Sequence, residues 1–260
     1  MAGRFDGQVA WITGGGSGIG RALALALADE GADVAVSGRR EDRLAAVVRE
    51  VEARGRRGLC APCDVRDEVQ VEQRADEVAA TLGRLDVCVA NAGFAVGGRF
   101  EELSVADWRR QFDVNVFGLV ATLRAALPHV QRHDGRLVLI GSVAAFLPLP
   151  GNGAYTASKA AVHAIGQTLA AELRHSGVSV TTIHPGFVES EIAQVDNEGR
   201  HDPSRRDPRP QRLMWSAERA AGVCVRAIHA RKRDFVFTGH GRLASFLGRH
   251  APGLVHRFLP

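Results

Sequence analysis

Apolar positions along the chain alternate between short continuous runs and longer segments with helical spacing. The continuous runs predict seven strands: Val9–Thr13, Val34–Ser37, Arg57–Ala61, Val87–Ala90, Leu137–Ile140, Val178–Ile183 and Phe235–Thr238. The spaced segments predict helices at Ile19–Glu30, Arg43–Ala53, Glu68–Leu82, Ala106–Leu127, Ala154–Arg174 and Ala217–His229. Runs that are apolar throughout suit strands buried on both faces. We therefore expect one α/β domain over residues 1–260, with a doubly wound, parallel, seven-stranded sheet and helices on both faces.

Two segments near the end of the chain depart from this alternation. Residues 191–215 include a stretch rich in Pro, Asp and Arg, which predicts a long surface loop that serves as a substrate flap. Residues 241–260 form a tail of mixed apolar and basic side chains. We favour packing of this tail on a partner subunit or over the substrate entrance, and keep contact with a membrane surface as the alternative.

The composition excludes several classes of protein. Hydrophobic residues make up 45% of the 260 positions and charged residues 24%, which excludes disordered, collagen-like and low-complexity chains. The first twenty residues lack the layout of a signal peptide, and the longest uncharged run is interrupted by prolines and glycines. We therefore expect a cytoplasmic protein whose four cysteines stay reduced.

The net charge of +4 is unevenly distributed along the chain. Residues 200–260 hold 13 basic and 4 acidic side chains, whereas the preceding part is net acidic. Such an asymmetry fits an anionic ligand, a membrane surface, nucleic acid or a solvated arginine-rich face. No motif or aromatic platform for nucleic acid accompanies it, so nucleic acid is not an expected partner.

A glycine-rich turn follows the first predicted strand and opens the first predicted helix. The segment from Thr13 to Gly20 is TGGGSGIG, with Gly14, Gly18 and Gly20 at G-x-x-x-G-x-G spacing. Glycines let backbone N–H groups approach a pyrophosphate, and the helix N-terminus adds partial positive charge. The position of the turn favours a dinucleotide site over the alternative, a tight turn with a structural role alone.

The residues after the second predicted strand bear on which nicotinamide cofactor fits. An acidic side chain there would bind the ribose hydroxyls of NAD, but the chain has Arg39 and Arg40 and no carboxylate until Glu41. A guanidinium forms bidentate, charge-assisted hydrogen bonds with a 2′-phosphate. We therefore expect Arg39 to favour NADP(H) over NAD(H), and Arg40 to cap or flank the next helix.

The only tyrosine of the chain, Tyr155, stands four residues before Lys159, one of only two lysines. Residues with this spacing share one face of a helix. A neighbouring ammonium favours the phenolate and so suits the tyrosine to general acid/base catalysis, although an isolated pair of this kind is more often an ordinary surface contact. Here Ser142 ends the fifth predicted strand, at the sheet edge where ligands bind in open α/β folds.

Further motifs stand in order around these residues. Cys63-Asp-Val65 follows the third predicted strand, Ala90-Asn-Ala-Gly93 ends the fourth, and Asn115 lies in the helical segment ahead of the fifth. From about Gly7 to Val188 the sequence closely resembles the short-chain dehydrogenase/reductase family. The resemblance implies a Rossmann fold and an NAD(P)-dependent oxidoreductase that is a homodimer or homotetramer.

The resemblance also implies the roles of four catalytic residues. Ser142 polarises the substrate carbonyl, and Tyr155 transfers the proton. Lys159 supports Tyr155 and binds the nicotinamide ribose, and Asn115 holds a water in the proton relay. Since all four positions are filled, an inactive scaffold is not expected.

We expect the following residues to bind the cofactor: Thr13, Gly14, Ser17, Gly18, Ile19, Gly20, Arg39, Asp64, Val65, Asn91, Gly93, Tyr155, Lys159, Pro185, Gly186, Val188 and Ser190. Two positions depart from the family pattern. Ala90 replaces an asparagine that is common there, and Ser190 stands where a threonine is often found. The serine keeps a hydroxyl for the nicotinamide amide, so this difference bears on affinity more than on activity.

Other residues are ambiguous from the sequence. Ser142 and Tyr155 are expected to contact the substrate, with Phe94, Leu149 and Phe187 as apolar walls of its pocket unless these simply belong to the core. Cys60 and Cys63 have C-x-x-C spacing, but without a second ligand pair they are interpreted as small core residues. We interpret His163 and His184 as packing or surface residues and expect catalysis without a metal.

Three functions compete. The first is hydride transfer between NADP(H) and a carbonyl or secondary alcohol, with a hydrophobic ketone, steroid-like or 3-oxoacyl substrate. The second is an NAD-linked alcohol dehydrogenase of the same family. The third is a non-enzymatic module that senses the cofactor or associates with a membrane. We favour the first, because the catalytic positions are complete and Arg39 follows the second predicted strand.

Overall fold

Seven parallel strands form one sheet at the centre of the structure, a computed structural model that describes residues 3–251 and residue 253. The strands are β1 (Val9–Thr13), β2 (Asp33–Ser37), β3 (Gly58–Cys60), β4 (Val87–Ala90), β5 (Arg136–Ile140), β6 (Ser179–His184) and β7 (Asp234–Val236). Their order is β3-β2-β1-β4-β5-β6-β7. The order reverses direction between β1 and β4, where such sheets leave a crevice at the carboxyl ends of the strands.

Helices cover both faces of the sheet. In the described part of the chain they are α1 (Gly18–Asp29), α2 (Glu41–Glu52), α3 (Glu68–Leu82), α4 (Val105–Phe112), α5 (Gly118–Gln131), α6 (Gly153–Glu172), α7 (Ala217–His229) and α8 (Gly239–His250). Residues of α1, α2 and α7 share one apolar cluster with the sheet, and residues of α3, α5 and α6 share the other. The predicted doubly wound fold is confirmed.

Strand β5 shows why residues 137–140 are apolar throughout. Val138 and Ile140 belong to the cluster on one face, whereas Leu137 and Leu139 belong to the cluster on the other. Successive side chains of a strand point to opposite faces, so a strand covered on both sides buries both sets of side chains, and here all four are apolar. Strands β3 and β7 lie at the sheet edges and are shorter than predicted, with three residues each.

The helix predicted over Ala106–Leu127 is wrong as a single element. The structure ends α4 at Phe112, passes through a π-helical turn at Asp113–Phe117 and resumes a regular helix with α5. A π turn contains one residue more than an α turn, which apolar spacing does not reveal. The π turn contains Asn115. Its side chain accepts a hydrogen bond from the Phe94 N–H and donates one to the Phe94 carbonyl, both at 3.1 Å.

The segment between β6 and α7 lies over the carboxyl edge of the sheet. Short 3₁₀ turns at Glu191–Gln194 and Gln211–Leu213 interrupt it, and Val195 forms a bridge with His201. The tail begins with α8, and residues 252 and 254–260 of the predicted tail lie outside the described residues. Of the helices described, none is long and apolar enough to cross a membrane.

Helix α6, which carries Tyr155, packs so closely on β6 that only glycine fits at position 166. A Cβ at Gly166 would overlap the buried hydroxyl of Thr182, so Gly166→Ala should lower the free energy of unfolding by about 1–3 kcal/mol. Gly222 in α7 is the matched control, since its nearest neighbour would be an Arg226 nitrogen at 3.8 Å. Gly222→Ala should leave stability unchanged or raise it by up to ~1 kcal/mol. Urea unfolding of both variants checks this; equal effects would contradict the close packing.

Candidate active site

A cavity of about 570 Å³ lies at the carboxyl ends of the strands, where β1 and β4 separate. It brings together most of the residues predicted from the sequence. The predicted residues that line it are Gly14, Ser17, Gly18, Ile19, Gly20, Arg39, Asp64, Val65, Asn91, Gly93, Phe94, Ser142, Tyr155, Lys159, Pro185, Gly186, Val188 and Ser190. The cofactor turn and the three side chains predicted for catalysis at Ser142, Tyr155 and Lys159 therefore share one space.

Four predicted residues do not line this cavity. Thr13 is buried, and its hydroxyl accepts a hydrogen bond from the Asn91 N–H at 3.2 Å. Asn115 is buried in the π turn behind the cavity wall. Leu149 is partly exposed to solvent, and the Phe187 ring stacks on the His240 ring at 5.5 Å between centroids. Contact of Leu149 and Phe187 with a substrate stays a prediction.

The glycine-rich turn is built by close approach of backbone segments. A Cβ at Gly20 would overlap the carbonyl oxygen of Gly14, and a Cβ at Gly14 would lie 2.8 Å from Cα of Ala92. Gly14 also has a φ of +65°, a conformation that favours glycine. The Asn91 side chain donates hydrogen bonds to the carbonyls of Thr13 at 2.9 Å and Gly14 at 3.1 Å. This turn fits a pyrophosphate, because it exposes backbone and the N-terminus of α1 to the cavity.

The far end of the cavity is strongly basic. Arg40 forms an ion pair with Glu191 at 2.6 Å, and Asp64 is held by Arg66 at 2.5 Å. Burial acts against ionisation of Asp64, but the hydrogen bonds and charge of Arg66 outweigh it and lower the pKa of the carboxyl. Arg39 donates one hydrogen bond to the Gly199 carbonyl at 2.9 Å and has no carboxylate partner among the described residues. Arg39 is therefore the guanidinium most available to an anionic ligand.

Three side chains with proton-transfer chemistry converge at the other end. Lys159 is buried and donates from Nζ to the Ile140 carbonyl at 2.8 Å. The same Nζ lies 5.8 Å from the centre of the Tyr155 ring. The Ser142 hydroxyl accepts a hydrogen bond from the Ala144 N–H at 3.1 Å, which fixes it at the start of a 3₁₀ turn. This arrangement can hold a carbonyl or hydroxyl oxygen and move a proton to or from it.

Burial shifts the titration of both groups on α6. It lowers the pKa of Lys159 to about 8. It also raises the pKa of Tyr155, although a hydrogen bond with Ser142 and the positive charge of Arg209 act in the opposite direction. In the free protein Tyr155 is therefore a neutral phenol at physiological pH, and a further positive charge is needed to stabilise its phenolate.

Sequence reasoning missed Arg209 in the segment over the cavity. Its guanidinium donates to the carbonyls of Val188 at 2.9 Å and Ser190 at 3.2 Å and pairs with Asp207 at 2.7 Å. Arg209 thus ties the predicted flap to the segment after β6 and places a positive charge near Tyr155. No local signal marks it, because it lies in a loop with several other arginines.

The sequence profile of the short chain dehydrogenases matches residues 8–201. The chain belongs to the short-chain dehydrogenase/reductase family. It is 33% identical over 227 residues to an uncharacterised oxidoreductase of Staphylococcus aureus strain MW2, covering 86% of this chain and 96% of the relative. The match includes every motif that forms the cavity up to Ser190, so this short-chain dehydrogenase is an oxidoreductase.

Solved structures agree with the family and the fold. A short chain dehydrogenase from Burkholderia cenocepacia J2315 in complex with NADP superposes with a TM-score of 0.80 and 32% identity over 92% of this chain and 99% of that one. A short-chain dehydrogenase/reductase from Burkholderia phymatum in complex with NAD gives a TM-score of 0.84 and 30% identity over 99% of this chain and 97% of that one.

The buried ammonium of Lys159 should reduce the stability of this dehydrogenase at neutral pH. Its pKa of about 8 lies below the value of 10.5 for a free lysine, so the unfolded chain binds more protons between these values and stability rises with pH there. The total gain is on the order of 3 kcal/mol. Lys159→Met removes this pH dependence. The free energy of unfolding of the variant should therefore exceed that of the wild type at pH 8, and the difference should shrink as the pH rises to 10.5.

The measurement is urea unfolding across that pH range. The chain offers a matched control, since its other lysine, Lys232, is exposed. Lys232→Met should keep the pH dependence of the wild type. A difference between Lys159→Met and wild type that stays constant from pH 7 to 10.5 would show that the ammonium carries no burial penalty.

Proposed function

We propose that this short-chain dehydrogenase transfers a hydride between NADP(H) and the carbonyl or secondary-alcohol carbon of a hydrophobic small molecule, with Tyr155 as the general acid/base. The observation that carries the proposal is the shared cavity. The glycine turn of α1 occupies one part of its wall, and Ser142, Tyr155 and Lys159 occupy another. A dinucleotide whose pyrophosphate lies on the turn can therefore extend within the same cavity towards the catalytic residues.

The bound nicotinamide supplies the hydride acceptor or donor and, when oxidised, a positive charge. Ser142 holds the substrate oxygen by a hydrogen bond and polarises its carbonyl. Tyr155 gives its phenolic proton to that oxygen during reduction and takes it back during oxidation. The buried Lys159 ammonium lies over the Tyr155 ring, 5.8 Å from its centre, and favours the phenolate when the proton leaves.

Asn115 has a positioning role in this scheme. Its side chain donates to the Ser158 hydroxyl at 3.2 Å and holds the Phe94 backbone through two further hydrogen bonds. These bonds lock the π turn against the residues that follow β4. We assign Asn115 to hold a water of the proton relay, a role that follows from the family pattern rather than from its side-chain contacts.

The preference for NADP(H) rests on Arg39. Arg40 is already paired with Glu191, and Asp64 with Arg66, so Arg39 is the one cation on this wall bound only to a carbonyl among the described residues. A 2′-phosphate offers it two charge-assisted hydrogen bonds instead of one neutral bond. One related structure binds NADP and another binds NAD, so the relatives do not decide between the two cofactors. We therefore base the preference for NADP(H) on the charges around Arg39.

The apolar part of the wall supports a hydrophobic substrate. Phe94 and Val114 face the cavity from the body of the fold, and Ile192 and Val195 face it from the segment over it. We further propose a cytoplasmic homodimer or homotetramer. Its free cysteines suit a reducing compartment, and exposed phenylalanines such as Phe117, with 62% of its surface accessible, offer apolar area for subunit contact.

Tyr155→Phe tests the catalytic assignment. Removing the phenolic oxygen should lower kcat by about 10²–10⁴-fold, because the group that exchanges the proton with the substrate oxygen is then lost. A screen of ketones and secondary alcohols, followed by nicotinamide absorbance, supplies the substrate for this assay. Cofactor binding by titration should change little, which separates lost chemistry from lost folding. Unchanged turnover would instead support a non-enzymatic module.

Arg39→Ala tests the cofactor preference. The variant should bind NADP(H) at least tenfold more weakly while its affinity for NAD(H) changes little, because only the 2′-phosphate contact is lost. Arg49 lies exposed on α2 and away from the cavity, so Arg49→Ala is the matched control. Tighter binding of NAD by the wild type, unaffected by Arg39→Ala, would favour an NAD-linked alcohol dehydrogenase.

A further inference from the structure

A second cluster of chemically active side chains lies behind Ser142, outside the cavity described above. His163 comes from α6, His184 is the last residue of β6, and Asp234 is the first residue of β7. One potential ligand atom from each residue lies within 4.8 Å of the other two. The proposed reaction uses none of these three side chains, and none of them lines the active-site cavity.

The neighbours of His184 determine which of its ring nitrogens carries hydrogen. Nδ1 lies 3.2 Å from the Ser142 carbonyl oxygen, which can only accept, so Nδ1 is the donor. A neutral His184 then presents the lone pair of Nε2 to the cluster. That nitrogen lies 2.8 Å from Oδ1 of Asp234, which is also an acceptor. Two acceptors at this distance repel each other unless a cation lies beside both, either a proton or a metal ion.

The geometry favours a metal ion over a proton. Nε2 of His184 and Oδ1 of Asp234 are both buried and lack an aligned hydrogen bond despite their 2.8 Å separation, as expected when the nitrogen lone pair does not point at the oxygen. Two ligands of one tetrahedral zinc ion, each about 2.0–2.1 Å from the metal, lie about 3.3–3.4 Å apart without pointing at each other, so the 2.8 Å separation has to open by about half an ångström when the ion binds. His184 itself is fully buried, so no water can satisfy it from the surface.

His163 supplies the third donor. Its Nδ1 is buried and has no hydrogen-bond partner in the described structure. An imidazole nitrogen binds a metal through its lone pair, and this unpartnered nitrogen offers one. The Phe146 ring lies against both imidazoles, with centroids 4.9 Å from His163 and 4.8 Å from His184.

Charges around the cluster also bear on a metal ion. Arg249 donates to Oδ2 of Asp234 at 2.7 Å and lies over the Phe146 ring. Arg249 thus occupies Oδ2, whereas Oδ1 is buried and has no hydrogen-bond partner among the described residues, so Oδ1 is the oxygen left for a second cation. The guanidinium also repels a dication, so the affinity should be moderate rather than that of a closed structural zinc site.

We propose that His163, His184 and Asp234 bind one divalent transition-metal ion of the zinc type. Two imidazoles and one carboxylate are a donor set that such ions accept, and a solvent molecule can take the fourth position. The hydrogen bond from His184 Nδ1 to the Ser142 carbonyl is the outer contact that metal-bound histidines usually make. The donor atoms lie within 4.8 Å of one another, so the partly buried His163 and Asp234 side chains have to rotate when the ion binds.

The experiment uses the full-length, tag-free protein after treatment with a chelator. Equilibrium dialysis with Zn²⁺, and visible absorption with Co²⁺ as a spectroscopic probe, should show one ion bound per chain. His163→Gln and Asp234→Asn should each weaken binding at least tenfold. His175 and Asp42 are exposed and lie elsewhere, so His175→Gln and Asp42→Asn serve as matched controls that keep wild-type binding.

Several outcomes would overturn the proposal. Zn²⁺ binding that is equal in wild type and His163→Gln would place the ion elsewhere, for example on cysteine. A nitrogen-15 spectrum showing two ring protons on His184 in the presence of Zn²⁺ would identify a histidinium–aspartate pair instead. Circular dichroism of His163→Gln confirms that lost binding is not lost folding. Because Zn²⁺ binding is measured without turnover, the result is independent of the proposed dehydrogenase activity.

Discussion

Two backbone segments approach within contact distance where β1 and β4 separate, and no side chain fits between them. Gly14 and Gly20 leave this space, and the Asn91 side chain closes it by hydrogen bonds to the carbonyls at the end of β1. The approach sets where α1 begins, and so where its N-terminal N–H groups point. This contact lies where the strand order reverses, between β1 and β4. The position of the cavity depends on it, and so does the position of the turn relative to the catalytic residues at the other end.

At the other end of the cavity, the proposed chemistry depends on the buried charge of Lys159. Burying this charge lowers the stability of the folded protein. Lys159 is almost inaccessible to solvent, and among the described residues its ammonium has the Ile140 carbonyl as a hydrogen-bond partner but no carboxylate. The same burial raises the pKa of Tyr155 in the free protein. A nearby cation therefore has a large effect on the phenol, since the surroundings screen it poorly. Arg209 contributes such a charge from the segment over the cavity, so the loop takes part in the electrostatics of the site.

Most of the fold and of the cavity wall could be predicted from the sequence, because burial on both faces leaves a continuous apolar pattern and the motifs keep their order. The π turn at Asn115 could not, since it changes the helical spacing by a single residue. Arg209 could not either, because its partners are carbonyls brought near by the loop. Leu149 and Phe187 stand next to motifs in the chain but do not line the cavity, so their contact with a substrate stays a prediction. The His163 cluster draws one side chain each from α6, β6 and β7, which no local spacing shows.

His184 connects this cluster with the active site through a single hydrogen bond. The Ser142 carbonyl that accepts from its Nδ1 belongs to the residue whose hydroxyl faces the cavity. Because Nε2 of His184 has no hydrogen-bond partner among the described residues, the ring proton can move from Nδ1 to Nε2. Nδ1 would then face the Ser142 carbonyl with a lone pair. A cation on Nε2 removes this alternative and fixes the donor on Nδ1.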